Sequence, residues 1–357
     1  ACKSMVLLKN DKEALPIAAG KKIALIGPFA DARLDLLGSW YGQGQADKVV
    51  SILTGLKERF GADKVIYTKG SEPDKDDRSG FAAALNAARS ADKVVMAVGH
   101  PGFWSGEATS LTSIRIPAIQ QELIREVAQS GKPLILVLLN GRPLDLSWES
   151  TVADAIVEAW YPGTEGGHAV ADVLSGDFNP CGKLTMTFPR NLGQVPIHYD
   201  AKNTGRPYTP GQGEQHYVSR YLNEPTATPL YPFGYGLSYT TFEYSDLKVA
   251  PEKTDMKQPV AVTVTVKNTG KVRGTEVVQL YVRDLVASVT RPTRQLKGFE
   301  RVTLEPGESR EVSFTITSDA VGFYRQDMSF GYEPGDFKVW AGGSSDAALE
   351  GSFEITK

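Results

Sequence analysis

One apolar run and the loop that follows it decide the fold, and they read Lys93-Val94-Val95-Met96-Ala97-Val98-Gly99-His100-Pro101-Gly102-Phe103-Trp104-Ser105-Gly106-Glu107. The run predicts a buried strand that ends at Gly99. In open α/β sheets, ligands bind just beyond the carboxyl ends of the strands. A carboxyl group in that place, flanked by Trp and Gly, is a candidate proton donor. No second catalytic carboxylate stands out nearby, so either the other half of an active site lies on polypeptide outside this chain or Glu107 is not catalytic.

The first half of the chain alternates apolar runs with helical stretches. The predicted strands cover residues 22–28, 64–67, 93–98, 133–141 and 155–160, and the predicted helices cover residues 80–90, 118–130 and 167–174. The apolar runs are nearly continuous, as expected for parallel strands covered on both faces. Residues 21–188 therefore predict an α/β sandwich, a mostly parallel sheet with flanking helices.

The second half of the chain changes character twice. Residues 189–241 are rich in Pro, Gly, Tyr and Asn and predict an extended linker that is too long for an ordinary connection. From residue 242 to residue 357 the pattern alternates with period two, as in Val260-Ala261-Val262-Thr263-Val264. Short alternating strands separated by Gly, Pro and Asn turns predict an all-β sandwich.

The bulk composition excludes several classes of protein. The chain has 357 residues, 41% hydrophobic and 23% charged, with a net charge of −3, which are ordinary values for a globular protein. There is no basic surface for nucleic acid, and no stretch approaches the length of a membrane-spanning helix. Neither a Cys/His cluster nor a phosphate-binding loop after Gly27 is present, so we expect no metal and no cofactor.

The chain begins Ala1-Cys2-Lys3-Ser4, and the apolar stretch Met5-Val6-Leu7-Leu8 follows. Residues 1–10 predict the last turns of an amphipathic helix without a cap, and no signal peptide is recognisable. We interpret residues 1–20 as the end of a helix and linker that belong to a longer gene product.

Three further residues are candidates for ligand contact. Trp40 lies among glycines in a loop after the first predicted strand, and it either stacks on a sugar ring or only packs between helix and sheet. Trp104 precedes Glu107 by three residues, which favours ligand contact. His100 is interpreted either as a hydroxyl-binding residue or as a structural histidine.

Several segments together resemble the C-terminal half of glycoside hydrolase family 3, close to its bacterial periplasmic β-glucosidases. The most specific match is Tyr231-Pro232-Phe233-Gly234-Tyr235-Gly236-Leu237-Ser238-Tyr239. Other matches, in the family's order, are Gly38-Ser39-Trp40, Ser105-Gly106-Glu107-Ala108, Leu139-Asn140-Gly141-Arg142-Pro143 and Tyr161-Pro162-Gly163-Thr164-Glu165.

The resemblance implies an α/β sandwich, a fibronectin-III-like domain and a preceding TIM-like barrel that is absent here. It implies a retaining, exo-acting β-glucosidase that hydrolyses β-glucosides or oligosaccharides. By motif match Glu107 takes the acid/base position, the nucleophilic Asp belongs to the barrel, and Trp40 falls on the loop that lines an outer sugar subsite. It also implies a periplasmic or secreted location.

Alternative functions stay open at this point. The chain is either part of this enzyme or a non-catalytic carbohydrate-binding or scaffold module, and β-xylosidase specificity within the same family is a third interpretation. The length and the Tyr and Arg content of residues 189–241 suggest a homodimer hypothesis.

Overall fold

The computed structural model describes residues 1–208, 216–224 and 226–357. These residues form two compact units that interleave along the chain. The first unit comprises Ala1–Lys183, Pro189–Val195 and Gly236–Tyr239. The second unit comprises Leu184–Phe188, Pro196–Tyr235 and Thr240–Lys357, apart from the residues outside the description.

The first unit contains a six-stranded, mostly parallel sheet. Its strands are β1 (Val6–Asn10), β2 (Ile23–Ile26), β3 (Val65–Thr68), β4 (Lys93–Gly99), β5 (Leu134–Leu139) and β6 (Ala155–Glu158). Their order is β1-β6-β5-β4-β2-β3, and every neighbouring pair is parallel except β1 and β6. Strands β2, β5 and β6 are buried along their whole length, which confirms the prediction of a sheet covered on both faces.

Helices connect the parallel strands, and one more helix follows the last of these strands, β6. They are α1 (Arg33–Leu36), α2 (Ile52–Phe60), α3 (Phe81–Arg89), α4 (Ala118–Ala128), α5 (Glu149–Val152) and α6 (Gly166–Ser175). Short 3-10 turns occur at Cys2–Ser4, Asp11–Glu13, Ala46–Lys48, Ala62–Lys64, Gly102–Trp104 and Leu192–Gln194. In α4 the predicted apolar stripe of Ile119, Leu123 and Val127 is buried. The three helices predicted from the sequence are confirmed as α3, α4 and α6, whereas α2 was missed.

The prediction of a helix over residues 1–10 is wrong. After one 3-10 turn, Val6–Asn10 forms the edge strand β1, which pairs antiparallel with β6. Val6, Leu7 and Leu8 are all buried. A short apolar run of this kind suits either a helix or a strand, and its pairing with β6, some 150 residues later, decided the outcome.

The strand order reverses between β2 and β4. The chain runs from β2 outward to β3, then returns to place β4 on the other side of β2 and continues to β5 and β6. Loops that leave the carboxyl ends of two such strands diverge and leave a crevice, which is where open α/β sheets bind ligands. Trp40 lies in the segment between β2 and β3, in the loop that follows α1, and the loop that carries Glu107 follows β4 directly.

The second unit is built from antiparallel strands. They are β7 (Phe242–Ala250), β8 (Lys253–Thr254), β9 (Val260–Asn268), β10 (Gly274–Asp284), β11 (Gln295–Leu304), β12 (Ser309–Ile316), β13 (Phe323–Tyr324), β14 (Phe330–Gly331), β15 (Gly335–Gly342) and β16 (Leu349–Ile355). One helix, α7, covers Ser318–Val321. The sheets have the orders β11-β10-β15-β16-β8, β12-β9-β7 and β13-β14. Among the described strands of the second unit, β8 and β16 form the one parallel pair.

An apolar core lies between the two larger sheets. The alternating side chains of β9, Val260, Val262, Val264 and Val266, are completely buried and pack with residues of β10 and β15. This arrangement confirms the predicted all-β sandwich that follows the α/β sandwich. Within the predicted linker, residues 189–241, the described part contains one 3-10 turn and isolated bridges, and residues 209–215 and 225 lie outside the description.

None of the helices in the described ranges has the length and apolar character that crossing a bilayer requires.

Gly99 is required where β4 ends. Its φ is +134°, and a Cβ atom there would lie 2.1 Å from the carbonyl oxygen of Leu139 on β5. The buried amide of Gln120 bonds both Gly99 backbone groups at 2.9 Å. The absence of a side chain therefore lets the chain leave the sheet at this point while the neighbouring strand stays in close contact.

A buried carboxyl group, that of Glu158, lies at the end of β6, which pairs with β5. Glu158 is fully buried, its Oε1 accepts a hydrogen bond from Trp160 N at 2.9 Å, and its Oε2 accepts one from Asn140 Nδ2 at 3.0 Å. Burial raises the pKa of Glu158 to about 8, and the two hydrogen bonds only partly offset this effect. Glu158 is therefore protonated in the folded protein at neutral pH.

Gly99→Ala is expected to lower the free energy of unfolding by about 3 kcal/mol or more. Two costs add: the positive φ is unfavourable for Ala, and the new Cβ atom clashes with the carbonyl oxygen of Leu139. Gly131→Ala is the matched control, since Gly131 has φ +67° with no atom within 4 Å of the added Cβ. The control should lose only about 1–2 kcal/mol. Chemical unfolding followed by tryptophan fluorescence measures the difference, because four of the five tryptophans, Trp40, Trp104, Trp148 and Trp160, lie in the first unit. Equal losses of unfolding free energy in the two variants would contradict the close approach of Gly99 to the carbonyl oxygen of Leu139.

Glu158 is expected to make the first unit less stable as pH rises. Between the unfolded pKa of about 4.5 and the folded pKa of about 8, the folded state holds a proton that the unfolded state has released. The stability that protonated Glu158 provides is complete below pH 4.5 and falls by up to about 1.4 kcal/mol per pH unit across this window. In Glu158→Gln that part of the pH dependence should vanish. Parallel unfolding curves for wild type and variant between pH 5 and pH 8 would contradict the assignment.

Candidate active site

Loops from both sides of the switch point contact each other at the carboxyl edge of the first unit's sheet. Gly102 N, in the loop after β4, donates to Asp35 Oδ1 at 2.8 Å. Asp35 lies in α1, the short helix in the segment after β2. Ser39 Oγ donates to the carbonyl oxygen of the same Gly102. Burial raises the pKa of the Asp35 carboxyl group, although the bond from Gly102 opposes this. These contacts hold the start of the β4 loop against the β2 loop.

Glu107 lies at the exposed tip of the β4 loop. The residues on either side have left-handed backbones, with φ +133° at Gly106 and +57° at Ala108. Thr109 Oγ1 donates to the carbonyl oxygen of Gly106 at 2.6 Å, which closes the turn. Within the described parts of the chain, the Glu107 carboxylate has no hydrogen-bond or ion-pair partner. The carboxyl group is therefore presented outward and available to a ligand.

Of the two candidate tryptophans, Trp104 belongs to this loop, and Trp40 approaches it from the segment after β2. Trp40 is 76% exposed, and a Cβ atom added at Gly106 would lie 3.1 Å from its Nε1. Trp104 is half-buried, with its ring centroid 5.3 Å from that of His100. The exposure of Trp40 favours the stacking interpretation over packing between helix and sheet, and it places a free aromatic face next to the residue that precedes Glu107.

His100 does not reach the surface. Its side chain is 1% exposed, and Nε2 lies 2.8 Å from the carbonyl oxygen of Arg115, so Nε2 carries the proton that is donated. Burial lowers the pKa of His100, which keeps the ring neutral at physiological pH. Of the two interpretations of His100, this geometry favours the structural one, and a direct sugar contact stays a prediction.

Residues after β5 and β6 complete the cluster, and no motif in the sequence identifies them as site residues. Arg142 Nη2 donates to the carbonyl oxygens of Trp104 at 2.5 Å and of Thr109 at 3.1 Å. Tyr161 Oη donates to the carbonyl oxygen of Pro101 at 3.0 Å. Their positions in the sequence could have indicated a role, because Arg142 and Tyr161 directly follow predicted strands whose carboxyl ends lie at the same edge of the sheet as that of β4.

This arrangement can transfer a proton and bind a flat, apolar ligand face. Glu107 provides an exposed carboxyl group, and Trp40 provides exposed aromatic surface next to Gly106. Trp104, three residues before Glu107, is half-buried. The nearby carboxylate of Asp35 is bonded to Gly102 N and faces into the loops. Among the described residues, no group of three or more His, Cys, Asp or Glu side chains could hold a metal ion.

Comparisons with known proteins agree with the fold and with the resemblance. Residues 5–239 match the model of the glycosyl hydrolase family 3 C-terminal domain, and residues 276–345 match a fibronectin type III-like domain. The chain is 46% identical to a periplasmic β-glucosidase of Salmonella typhimurium, over 99% of this chain and 49% of the relative. It is 42% identical to a β-xylosidase of Formosa agariphila, over 97% of this chain and 47% of the relative.

A solved structure matches this chain along its whole length. The β-glucosidase of Listeria innocua in complex with glucose superimposes with a TM-score of 0.94 at 40% identity, over 100% of this chain and 49% of that one. This chain thus spans about half the length of the relatives that it matches. The predicted family and fold class are confirmed: the chain belongs to glycosyl hydrolase family 3 and corresponds to its C-terminal domain followed by a fibronectin type III-like domain.

Proposed function

We propose that this chain supplies the general acid/base, Glu107, of a retaining, exo-acting β-glucosidase. In this proposal the nucleophilic Asp belongs to a TIM-like barrel outside the chain, which is its partner domain or partner chain. The observation that carries the proposal is the Glu107 carboxylate, which is exposed, without a partner among the described residues, and located at the switch point of the sheet. Relatives with β-glucosidase names support the reaction class.

A retaining mechanism requires two carboxyl groups about 5–5.5 Å apart across the glycosidic bond. Glu107 first donates its proton to the departing glycosidic oxygen while the barrel Asp attacks the anomeric carbon. Glu107 then accepts a proton from the water that hydrolyses the glycosyl-enzyme. Such acid–base assistance accelerates each step by about 10²–10⁴-fold.

The aromatic residues bind the sugar that leaves or extends outward. Trp40 offers its exposed face beside Gly106, and Trp104 lies three residues before Glu107. Sugar rings stack their apolar C–H faces on such aromatic surfaces because this buries apolar area on both sides. A direct contact by His100 requires an opening of the loop, because its ring is buried.

Two finer points belong to the same proposal. The β-glucosidase of Salmonella typhimurium is named periplasmic, and we propose a periplasmic or secreted location for this protein. The homodimer hypothesis rests on the composition of residues 189–241 alone, and sedimentation of the barrel-containing protein as a monomer only would exclude it.

A second specificity is supported by one observation. The relative that is 42% identical is named a β-xylosidase. In this interpretation Glu107 keeps its role and the barrel selects a pentose. Comparing aryl β-glucoside with aryl β-xyloside on the barrel-containing protein distinguishes the two, and we expect the glucoside to be preferred.

Glu107→Ala in the barrel-containing protein should reduce kcat by about 10²–10⁴-fold on glucosides with poor leaving groups. Glucosides of very acidic phenols should lose less at the glycosylation step, because their leaving group needs no proton. Azide should restore turnover of these activated substrates and yield glucosyl azide, since azide needs no general base. The control is Glu300→Ala, an exposed glutamate on β11.

The control variant should keep wild-type kinetics. Equal loss of activity on all substrates without azide rescue would show that Glu107 is not the acid/base. Binding of oligosaccharide to a protein without any hydrolysis would favour the non-catalytic module instead.

The isolated chain should not hydrolyse an aryl β-glucoside above the buffer rate, because it lacks the attacking carboxylate. The same assay on the barrel-containing protein provides the positive control. Turnover by the isolated chain comparable to that of the barrel-containing protein would contradict the division of the two carboxyl groups.

A further inference from the structure

One side chain joins the two ends of the segment that carries Glu107. The Nη2 atom of Arg142 has two hydrogens, and each has a carbonyl acceptor, one in Trp104 at 2.5 Å and one in Thr109 at 3.1 Å. Glu107 lies between these two residues. Both hydrogen bonds come from a charged donor, and such bonds are shorter and stronger than neutral ones.

The segment depends on support from outside itself. Residues 105–108 form no helix or strand, and φ is +133° at Gly106 and +57° at Ala108. An Ala residue in this region is disfavoured unless surrounding contacts hold it. Inside the segment, the bond from Thr109 Oγ1 to the carbonyl oxygen of Gly106 ties only part of the turn. Arg142 is therefore the contact that ties Trp104 to Thr109.

Arg142 is itself held from the core. Its carbonyl oxygen accepts a hydrogen bond from Asn140 Nδ2 at 2.8 Å, and the same Nδ2 donates to the buried Glu158 at 3.0 Å. At Gly141 a Cβ atom would lie 2.2 Å from Ser105 Oγ, so the backbone next to Arg142 directly contacts the Glu107 loop. The backbone from which the Arg142 side chain extends is thus held by residues at the ends of β5 and β6.

We propose that Arg142 is a positioning residue for Glu107: by bridging the carbonyl groups of Trp104 and Thr109, it fixes where the acid/base carboxylate lies. The proposal rests on the proposed function of Glu107. Arg142 contacts no reacting atom in this account and acts only through the loop. Its loss therefore changes the steps in which Glu107 moves a proton.

The test compares four forms of the barrel-containing protein: wild type, Arg142→Ala, Glu107→Ala and the double variant. Arg142→Ala should lower kcat on a glucoside with a poor leaving group by about 10²-fold, since misplacing a catalytic group by about 1 Å costs this much. On a glucoside with a very acidic phenol, kcat should fall less than tenfold, and KM should change less than threefold on both. In the Glu107→Ala background, Arg142→Ala should add less than a twofold loss, because the residue it positions is already gone.

Two further measurements keep the test independent of folding. Arg142→Lys retains a cationic donor and should recover part of the lost kcat. Hydrogen exchange of residues 102–112 should be faster in Arg142→Ala than in wild type. The thermal midpoint of Arg142→Ala should stay close to that of the control variant, Arg89→Ala. Arg89 is an exposed residue on α3, and its variant should keep wild-type kinetics.

The outcomes separate the two proposals. If Glu107→Ala behaves like wild type, the proposed function fails. If Glu107→Ala is impaired as expected but Arg142→Ala is not, or if the two losses multiply in the double variant, then Arg142 does not act through Glu107 and the positioning role is overturned. Equal loss on both leaving groups in Arg142→Ala would overturn it as well.

Discussion

Parallel strands joined by helices must all leave the sheet at the same edge, and the candidate site depends on this constraint. Strands β2, β4, β5 and β6 end together, so loops that are far apart in sequence become neighbours. The close approach of Gly99 to Leu139 allows the chain to turn out of the sheet there. Asp35, Arg142 and Tyr161 then reach the loop after β4 from three different strands. A sheet with another strand order would not bring these groups to Glu107.

The site has a buried, hydrogen-bonded lower part and an exposed loop tip. Buried polar groups below the loop, including Glu158 and Asn140, are hydrogen-bonded to backbone or to each other. These bonds restrain the ends of β5 and β6, whereas the buried Oδ1 of Asn140 has no hydrogen-bond partner among the described residues. Above them, Glu107 and Trp40 face outward without that support. A catalytic group that must meet a substrate and a second carboxylate from another domain is expected to be exposed in the half that carries it.

Most of the fold could be predicted because it is encoded locally. Continuous apolar runs such as residues 93–98 identify buried parallel strands, and strict alternation such as residues 260–266 identifies a sandwich strand. The place of Glu107 just after a strand followed from the same local pattern. The β1 strand escaped prediction because four apolar residues, Met5 to Leu8, fit a helix as well as a strand, and only pairing with β6 decides between them.

The contacts around Glu107 could not be predicted because they depend on strand order. Arg142 lies 38 residues from Trp104 in sequence, and nothing in either segment shows that β4 and β5 are adjacent. The burial of His100 depends on which way the chain turns after Gly99, and a short loop sequence does not define that direction. The full burial of Glu158 could not be predicted either, because a single Glu at the end of an apolar run is compatible with either face of a sheet.

The account claims that this chain holds one of two carboxyl groups that act on the same glycosidic bond. The most direct test is a crystal structure of the barrel-containing protein with a glucose-like inhibitor in its active site. The account predicts that the Glu107 carboxyl group faces the anomeric carbon, with the nearest barrel carboxylate about 5–5.5 Å away. A Glu107 side chain directed away from the inhibitor, with another carboxyl group in that place, would contradict it.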